Sequence, residues 1–249
     1  MKTLIVTPTY NEAKNITLLH QLIRSECTET RPDILVVDSA SPDGTAQVVR
    51  ELQQSDPSLF LLEQKAKLGL GRAYLDGMAW ALDKDYDRLI TMDADLSHHP
   101  KYINELIRAS KTHDLVIGSR YAKGGKLENW PRYRLWLSRF ANWYARTLTG
   151  LPFYDLTSGF QCFRMSLLKK LLSCNVHTEG YAFLVELKFL SILQRATFEE
   201  VPIIFTDRTY GDSKISKRVI GESMLFVLRL SASRSKVLGF LRQIARPES

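Results

Sequence analysis

Long apolar runs and cysteine are scarce in this chain. No stretch approaches the roughly 20 apolar residues that a membrane-spanning helix needs, and the longest candidate, Met224 to Leu230, ends among arginine and serine. The N-terminal apolar run is too short for a secretory signal peptide. We therefore expect neither a membrane span nor a signal peptide. Cys27, Cys162 and Cys174 match no spacing typical of disulfide frameworks or metal sites, which favours reduced thiols.

Acidic residues are also few relative to basic ones. The 249 residues include 34 lysines and arginines against 27 aspartates and glutamates, a formal net charge of +7. This balance indicates an anionic partner, which could be nucleic acid, a phosphorylated small molecule or an acidic membrane surface. No nucleic-acid-binding module is recognisable in the sequence, so nucleic acid is not the expected partner.

The first half of the chain alternates short apolar strands with helices. Strands are predicted at 3–7, 34–37, 59–62, 89–92 and 115–117, and helices at 12–27, 45–54, 72–82 and from Pro100. This alternation predicts an α/β fold with a mostly parallel sheet that helices cover on both faces. Ligands of such folds bind beyond the carboxyl ends of the strands.

The second half of the chain has a less regular pattern. It predicts helices at 133–149 and 183–193, strands at 160–163 and 201–205, and a basic helical tail from about 216. No internal repeat or linker interrupts the chain. We therefore predict one domain over residues 1–215, including an amphipathic helix at about 131–149, and a basic helical C-terminal extension over 216–249.

The segment with the strongest chemical signal is an Asp-x-Asp motif at the end of the fourth strand. Asp93 and Asp95 share a face because side chains two apart on a strand point the same way. Two carboxylates there suit Mg²⁺ or Mn²⁺ with a diphosphate completing the shell, although Asp pairs also simply end strands. Ser97 could add a hydroxyl, directly or through water. His98-His99 suggests zinc, but adjacent histidines point apart and no third nitrogen or sulfur ligand is evident.

Polar residues after the first two strands could bind a nucleoside. Tyr10 offers a flat ring on which a base could stack, and Glu12 offers an acceptor for base or ribose donors. The alternative is that Asn11 or Thr9 caps the following helix and Glu12 complements its dipole. Asp38 could likewise accept from a base or ribose, or form a turn with the residues that follow it.

A glycine-rich segment after the third strand resembles half of a dinucleotide-binding fingerprint. Gly69 and Gly71 have the right spacing, but Tyr74 occupies the position of the third glycine. The segment also does not follow the first strand, as that fingerprint requires. A tight turn into a helix is the better interpretation, and a dehydrogenase is the least expected function.

The helix predicted at about 131–149 is basic and aromatic. No acidic residue lies between Glu128 and Asp155, and that stretch holds four arginines and three of the chain's four tryptophans. Aromatic residues recur there at helical spacing: Tyr133, Trp136, Phe140, Trp143 and Tyr144. A basic helix with an aromatic face is typical of a helix lying at a membrane interface. The alternative is a core helix whose cations are solvated.

Six segments together resemble the dolichyl-phosphate (polyprenyl-phosphate) mannosyltransferases, which are inverting family 2 glycosyltransferases with a GT-A fold. The segments are 8–12, 93–95, 118–121, 123–131, 158–160 and 208–214. They occur in order over residues 2 to about 218. The first two are shared with many GT-A enzymes, whereas the loop at 123–131 and the segment at 208–214 point to a lipid-phosphate acceptor.

The resemblance implies a role for each matching position. The nucleotide sugar would be held by Pro8, Tyr10, Glu12, Val37, Asp38, Ser39, Asp93, Ala94, Asp95, Arg120, Arg208 and Lys214. The metal ligands would be Asp93, Asp95 and Ser97, the acceptor-phosphate residues Arg134 and Ser138, and the catalytic residues Asp95, Arg120, Arg208 and Lys214. The chain departs from the pattern at Ser39, where many relatives carry aspartate, and at Ser97, where some carry glutamine.

The resemblance also implies a reaction: transfer of mannose from GDP-mannose to a polyprenyl or dolichyl monophosphate, with inversion and with Mg²⁺ or Mn²⁺ required. A lipid phosphate is already an anionic nucleophile, so no general base is needed, and cationic side chains would offset the repulsion between two phosphate-bearing substrates. We expect a peripheral protein on the cytoplasmic face of a membrane, with a separate integral membrane subunit as a candidate anchor. The alternatives are a related enzyme that uses UDP-glucose or a polysaccharide acceptor, and a non-catalytic nucleotide- or lipid-binding module.

Overall fold

The structure, a computed structural model, describes residues 1–174, 176, 178, 180–206 and 217–244. Its strands are β1 (Thr3–Thr9), β2 (Asp33–Asp38), β3 (Leu59–Glu63), β4 (Arg88–Thr91), β5 (Leu115–Ser119), β6 (Lys126–Glu128), β7 (Gln161–Arg164), β8 (Phe198–Pro202) and β9 (Ile204–Thr206). Within these residues a seven-stranded sheet has the order β3-β2-β1-β4-β7-β5-β8, and β6 pairs with β9 separately. Only β7 runs antiparallel to its neighbours, so the predicted mostly parallel sheet is confirmed.

Helices cover both faces of the sheet. They are α1 (Ala13–Glu26), α2 (Thr45–Gln53), α3 (Leu70–Leu82), α4 (Ile103–Ala109), α5 (Arg132–Thr149), α6 (Met165–Leu172), α7 (Gly180–Leu193), α8 (Lys217–Ser231) and α9 (Arg234–Ile244). Alternate residues of β1 face two separate apolar clusters. Leu4 and Val6 pack on the side of α3, α6 and α7, whereas Ile5 packs on the side of α1 and α4. This alternation is what a strand buried on both faces requires.

The structure differs from the prediction mainly in the second half. The strand predicted at 201–205 is two strands in different sheets, because the backbone of Ile203 bonds Ser119 on one side and Lys126 on the other, both at 3.0 Å. The short elements β6 and α6 were not predicted. The predicted helix from Pro100 begins as a 3₁₀ turn, Pro100–Tyr102, and becomes α-helical only at Ile103.

The described part of the predicted C-terminal extension packs on the sheet-bearing part of the chain. Val227 of α8 and Val237 of α9 are buried in the same apolar cluster as the inner residues of α7. The predicted boundary at 215–216 lies outside the described residues. Within the described residues, no helix combines the length and apolar character needed to cross a membrane.

A close contact between α3 and β1 positions one side of the site. A Cβ atom on Gly77 would lie 2.4 Å from Val6 Cγ1 and 3.0 Å from Val37 Cγ2, so a larger residue would push the helix off the sheet. Gly77 therefore lets α3 approach the sheet closely. Tyr74 lies one turn earlier on the same helix and reaches the residues that follow β4.

Candidate active site at the carboxyl edge of the sheet

The two aspartates after β4 are oriented by different neighbours. Asp93 Oδ1 accepts a hydrogen bond from the Tyr74 hydroxyl at 2.8 Å, while the Asp93 side chain stays 32% exposed. Burial and the Asp93 carboxylate raise the pKa of Tyr74 well above its usual range, so the phenol remains a donor. Asp95 is buried, and its Oδ1 accepts from the Ser97 backbone N–H at 3.1 Å and the Ser97 hydroxyl at 2.5 Å. Sequence reasoning used Tyr74 only to reject a glycine fingerprint and missed this contact.

The oxygen-rich donor set fits a hard divalent cation. Ser97 donates to Asp95 and thereby orients it, and its predicted role as a direct metal ligand stays a prediction. The Ala94 side chain is buried in the apolar cluster on the α1 side, so within this motif the two aspartates are the candidate metal ligands. Among the described residues, no group of three or more His, Cys, Asp or Glu side chains could hold a metal. A cation held by two carboxylates would complete its shell with phosphate and water oxygens, as Mg²⁺ commonly does.

The neighbouring histidines point in different directions. His98 is buried, with its ring 5.2 Å from Phe160 and 5.0 Å from Phe205 between centroids. Burial lowers the pKa of His98, although the charges of nearby aspartates act to raise it. His99 Nδ1 instead accepts from the Lys101 backbone N–H at 3.2 Å at the start of the 3₁₀ turn. His98 is thus packed among aromatic rings.

Predicted nucleoside-binding residues lie together where β1 and β2 end, with Pro8 beside Val37 and Thr9 beside Asp38 in register. Asp38 is buried, and its carboxylate accepts from the Thr9 hydroxyl at 2.9 Å and from Ser41 N–H at 2.9 Å. The structure thus shows Asp38 in the turn that sequence analysis gave as its alternative role. Its role towards a nucleotide stays a prediction.

The next two polar residues of this edge bond within the protein. The Ser39 hydroxyl donates to Gln64 Oε1 at 2.7 Å, and Gln64 Nε2 donates to Asp76 Oδ2 at 2.7 Å. Gln64 follows β3 directly, which brings the ends of β2 and β3 into one hydrogen-bonded group. Ser39 stands where many relatives carry aspartate, and its hydroxyl has a defined hydrogen-bond partner in Gln64.

Tyr10 lies beneath a lysine that sequence reasoning did not single out. The Lys67 ammonium is 3.8 Å from the centre of the Tyr10 ring, a cation–π contact. A base that stacks on that face of the Tyr10 ring would have to displace the Lys67 ammonium or contact it. The Lys-rich turn after β3 was the only sequence signal for this residue.

The N-terminus of α1 is capped by side chains that lie between the end of β2 and the first turn of α2. The backbone N–H of Ala13 donates to Asp43 Oδ2, and that of Glu12 donates to the Thr45 hydroxyl, both at 3.0 Å. The residue before the helix, Glu12, makes no side-chain cap. Capping by Asn11 or Thr9 is therefore not what the structure shows. The Glu12 carboxylate accepts from the Asn15 side chain at 2.7 Å.

Arg120, which follows β5, is held in a buried ion pair. Its Nε and Nη2 donate to the two oxygens of Asp155 at 2.7 and 2.6 Å, and Nη2 also donates to the Thr157 hydroxyl at 2.6 Å. Burial alone would raise the pKa of Asp155, but the charge and hydrogen bonds of Arg120 hold it below its usual range. The pair is thus buried and bidentate, unlike an ordinary salt bridge on a protein surface.

Residues predicted to contact the acceptor phosphate adjoin Arg120. The Tyr121 hydroxyl donates to Ser138 Oγ at 2.8 Å, and the Arg120 guanidinium lies 5.6 Å from the Tyr121 ring centre. Arg134, one turn before Ser138 on α5, lies 5.6 Å from the centre of the Trp130 ring. Tyr121 thus links Ser138 to Arg120, and the rings of Trp130 and Phe205, whose centroids are 5.6 Å apart, link Arg134 to Arg120. The role of Arg134 and Ser138 towards a phosphate stays a prediction.

The glycine-rich loop after Arg120 packs closely against that residue. A Cβ atom on Gly125 would lie 2.6 Å from the Ser119 carbonyl oxygen and 2.8 Å from that of Arg120, so only glycine fits without a shift. The loop continues into β6, which pairs with β9, and the Phe205 ring of β9 lies 5.3 Å from the Arg120 guanidinium carbon. Arg208 and Lys214, the other predicted cations, lie outside the described residues.

The aromatic face of α5 is largely on the surface. Trp136 is 75% exposed and Trp143 is 61% exposed, and Tyr133 and Phe140 are also exposed. Tyr144 differs from the prediction: it packs against the apolar cluster, and its hydroxyl donates to the Met224 carbonyl of α8 at 3.2 Å. The alternative of a core helix is therefore wrong for the four outward aromatic residues.

Comparison with known proteins gives relatives over almost the whole chain. Glycosyl transferase family 2 matches residues 4–172. The undecaprenyl-phosphate mannosyltransferase of Micrococcus luteus is 39% identical over 229 residues, which is 92% of this chain and 93% of that protein. The polyprenol monophosphomannose synthase of Mycolicibacterium smegmatis is 41% identical over 228 residues, 91% of this chain and 85% of that protein. These relatives confirm the resemblance to polyprenyl-phosphate mannosyltransferases.

A more distant protein shares the fold. Glucosyl-3-phosphoglycerate synthase from Mycobacterium tuberculosis, in a crystal structure with Mn²⁺, UDP-glucose and phosphoglyceric acid, superimposes with a TM-score of 0.59. It is 17% identical, and the match covers 100% of this chain and 81% of that one. The predicted GT-A fold is confirmed. The match to glycosyl transferase family 2 over residues 4–172 and the sequence relatives show that the chain belongs to glycosyltransferase family 2.

Proposed function

We propose that this protein transfers mannose from GDP-mannose to a polyprenyl or dolichyl monophosphate, with inversion at the anomeric carbon. The observation that carries the proposal is that the chain has both an Asp-x-Asp site at the sheet edge and a basic helix with exposed aromatic residues, and that this helix bonds the segment after β5. The first feature suits a nucleotide-diphosphate donor, and the second suits an acceptor that resides in a membrane. Two relatives at 39% and 41% identity are named for joining mannose to a polyprenyl phosphate, which supports the sugar and the acceptor.

In this proposal Asp93 and Asp95 would hold Mg²⁺ or Mn²⁺, which would supply positive charge against the negative charge that develops on the leaving nucleoside diphosphate. Tyr74 and Ser97 orient the two carboxylates through the hydrogen bonds described above. The ends of β1 and β2, with Tyr10 and Asp38, line the nucleoside end of the donor.

An acceptor phosphate oxygen attacks the anomeric carbon in one displacement. The new bond joins that carbon to the lipid phosphate, and the bond to the donor diphosphate breaks with its electron pair leaving on GDP. No proton has to be removed, because a phosphate monoester is already anionic near neutral pH. Arg120, oriented by Asp155, together with Ser138 and Arg134, provides the polar surface for this phosphate. Arg208 and Lys214 are the further cations we assign to this step.

The outward face of α5 docks on the membrane in this proposal. The helix α8 packs beside α5 and also exposes apolar residues, Leu225 and Leu228, which would add to this surface. Arginines of α5 flank that face and would meet anionic headgroups on the cytoplasmic leaflet. An integral membrane subunit that binds the same face is the candidate anchor.

The deciding experiment is extraction of product into organic solvent. Purified protein is incubated with labelled GDP-mannose, Mg²⁺ and mixed polyprenyl phosphates, beside parallel reactions with labelled UDP-glucose. We expect labelled mannose in the organic phase only when lipid phosphate and divalent cation are both present. Transfer from UDP-glucose alone would instead identify the sibling enzyme, and absence of any turnover would leave a binding module.

A further inference from the structure

A fully buried lysine lies behind the segment that orients Arg120. Lys188 is near the middle of α7 and has no exposure to solvent. Its ammonium donates to the Ser158 carbonyl oxygen at 2.9 Å. Burying a charged group is costly unless nearby charges and hydrogen bonds compensate. The neighbours of Lys188 therefore indicate what the charge does.

Three charged side chains act on Lys188: Asp155, Glu200 and Arg120. The Glu200 carboxylate accepts the backbone N–H groups of Tyr154 at 2.7 Å and Asp155 at 2.9 Å. Burial lowers the pKa of Lys188 from its ordinary 10.5 to about 7, although the two carboxylates act to raise it. The side chain therefore gains or loses its charge close to neutral pH.

The segment that Lys188 holds also borders the Asp-x-Asp site. The Ser158 hydroxyl donates to the Gly118 carbonyl oxygen at 2.6 Å, and the Gly159 carbonyl oxygen accepts from the Thr91 hydroxyl at 2.6 Å. A Cβ atom on Gly159 would lie 3.8 Å from Asp93 Oδ1. A shift of the Ser158 carbonyl would therefore move backbone that faces the candidate metal ligand.

Charge balance gives Lys188 a second effect. Arg120 and Asp155 form a pair with no net charge, so a phosphate beside Arg120 also meets the field of the Asp155 carboxylate. A second positive charge near Asp155 offsets that field. We propose that Lys188 is a positioning residue for the transfer reaction. Its ammonium group holds the Ser158 carbonyl in place, and its positive charge compensates the Asp155 carboxylate, so that Arg120 acts on the substrate phosphates as a cation. This inference rests on the function proposed for Arg120.

The test compares kcat of the unmodified protein with that of Lys188→Met as pH is raised. We expect a ratio of about tenfold at about pH 6, falling below about twofold at about pH 9, because the lysine has then lost its charge. A substrate phosphate that titrates affects both proteins alike and cancels in the ratio. A ratio that is the same at every pH indicates a purely structural role and overturns the proposal.

A matched control lies one turn further along α7. Ser191 is also buried, and its hydroxyl bonds the Leu187 carbonyl within the helix at 2.7 Å. Ser191→Ala should give the unmodified kcat at every pH, and a loss of activity like that of Lys188→Met would overturn the assignment to Lys188.

If Lys188→Met does not fold, a second variant tests the proposal. Glu200→Gln removes a carboxylate that raises the pKa of Lys188, so the midpoint at which activity falls should move to lower pH. An unmoved midpoint overturns the proposal.

The unmodified protein in the same assay separates this inference from the proposed function. If it transfers no mannose, the proposed function fails. Calorimetric binding of GDP with Mg²⁺ then tests Lys188, and an affinity ratio between the unmodified protein and Lys188→Met that does not change with pH overturns its role.

Discussion

Replacing Tyr74 with phenylalanine tests how Asp93 is oriented. The hydroxyl is buried and donates to Asp93 Oδ1 at 2.8 Å, while the ring stacks on Phe183 with centroids 6.1 Å apart. Phenylalanine keeps that packing and removes one hydrogen bond to a charged acceptor, a bond that contributes about 1.5–3 kcal/mol. Asp93 is partly open to water, which can replace the lost donor, so the free energy of unfolding should fall by only about 1 kcal/mol or less.

The larger effect should fall on metal binding. Residues that orient a metal ligand commonly change metal affinity by roughly 10–100-fold when removed. Tyr74 supplies a single neutral donor, so we expect Mn²⁺ affinity in the presence of GDP to fall by about tenfold, at the lower end of that range. Isothermal titration calorimetry measures the affinity, and urea denaturation measures the stability of the same preparation.

Tyr86→Phe provides the matched control. The Tyr86 hydroxyl donates to Asp33 Oδ2 at 2.7 Å, at the amino end of β2 and therefore at the opposite edge of the sheet. This control makes the same chemical change to the same kind of bond, and Mn²⁺ affinity should not move. Equal losses of affinity in both variants, or none in a folded Tyr74→Phe protein, would refute the reasoning.

Four further outcomes are expected. Asp95→Ala should abolish mannosyl transfer while circular dichroism stays unchanged; retained metal-dependent turnover would remove Asp95 from the mechanism. Replacing both Trp136 and Trp143 with alanine should weaken binding to anionic vesicles by about tenfold or more in a flotation assay, because two exposed aromatic side chains no longer enter the interface. Asn142→Ala should lower the free energy of unfolding by about 1–3 kcal/mol in urea, since the buried Leu156 N–H loses its acceptor. Because burial lowers the pKa of Lys188, the unfolded chain binds more protons between about pH 7 and 10.5, so stability relative to Lys188→Met should rise with pH across that window.

The sheet and the strand-end residues could be predicted because their signals are local. Apolar runs separated by helical patterns place β1, β2, β4 and β5 within a few residues of their observed bounds. Parallel order then brings their carboxyl ends to one edge without any knowledge of side-chain contacts. The aspartates after β4 could be assigned to that edge for the same reason.

The partners of those residues could not be predicted, because they lie far apart in the chain. Nothing near Arg120 in sequence indicates that Asp155 will bind it, and nothing near Tyr74 indicates Asp93. The three-residue strand β6 pairs only with β9, far along the chain, and its own segment carries no strand signal. Lys188 sits in an apolar helix pattern where a single lysine looks like an exposed interruption, although the fold buries it completely.

Asn142 links α5, the helix proposed to lie on the membrane, to the residues that bind Arg120. This residue lies on the inner side of α5, whose outer side carries the exposed tryptophans. Asn142 Oδ1 accepts the Leu156 N–H at 2.7 Å, and its Nδ2 donates at 3.2 Å to the Thr157 hydroxyl, which also accepts from Arg120. An α-helix with its side chains is about 10–12 Å across. If the outer face of α5 lies on a membrane, Arg120 is therefore held about one helix diameter from the headgroups by direct hydrogen bonds. A phosphate on a long apolar chain reaches such a position while its chain stays in the bilayer, which is why this geometry favours a lipid monophosphate as the acceptor.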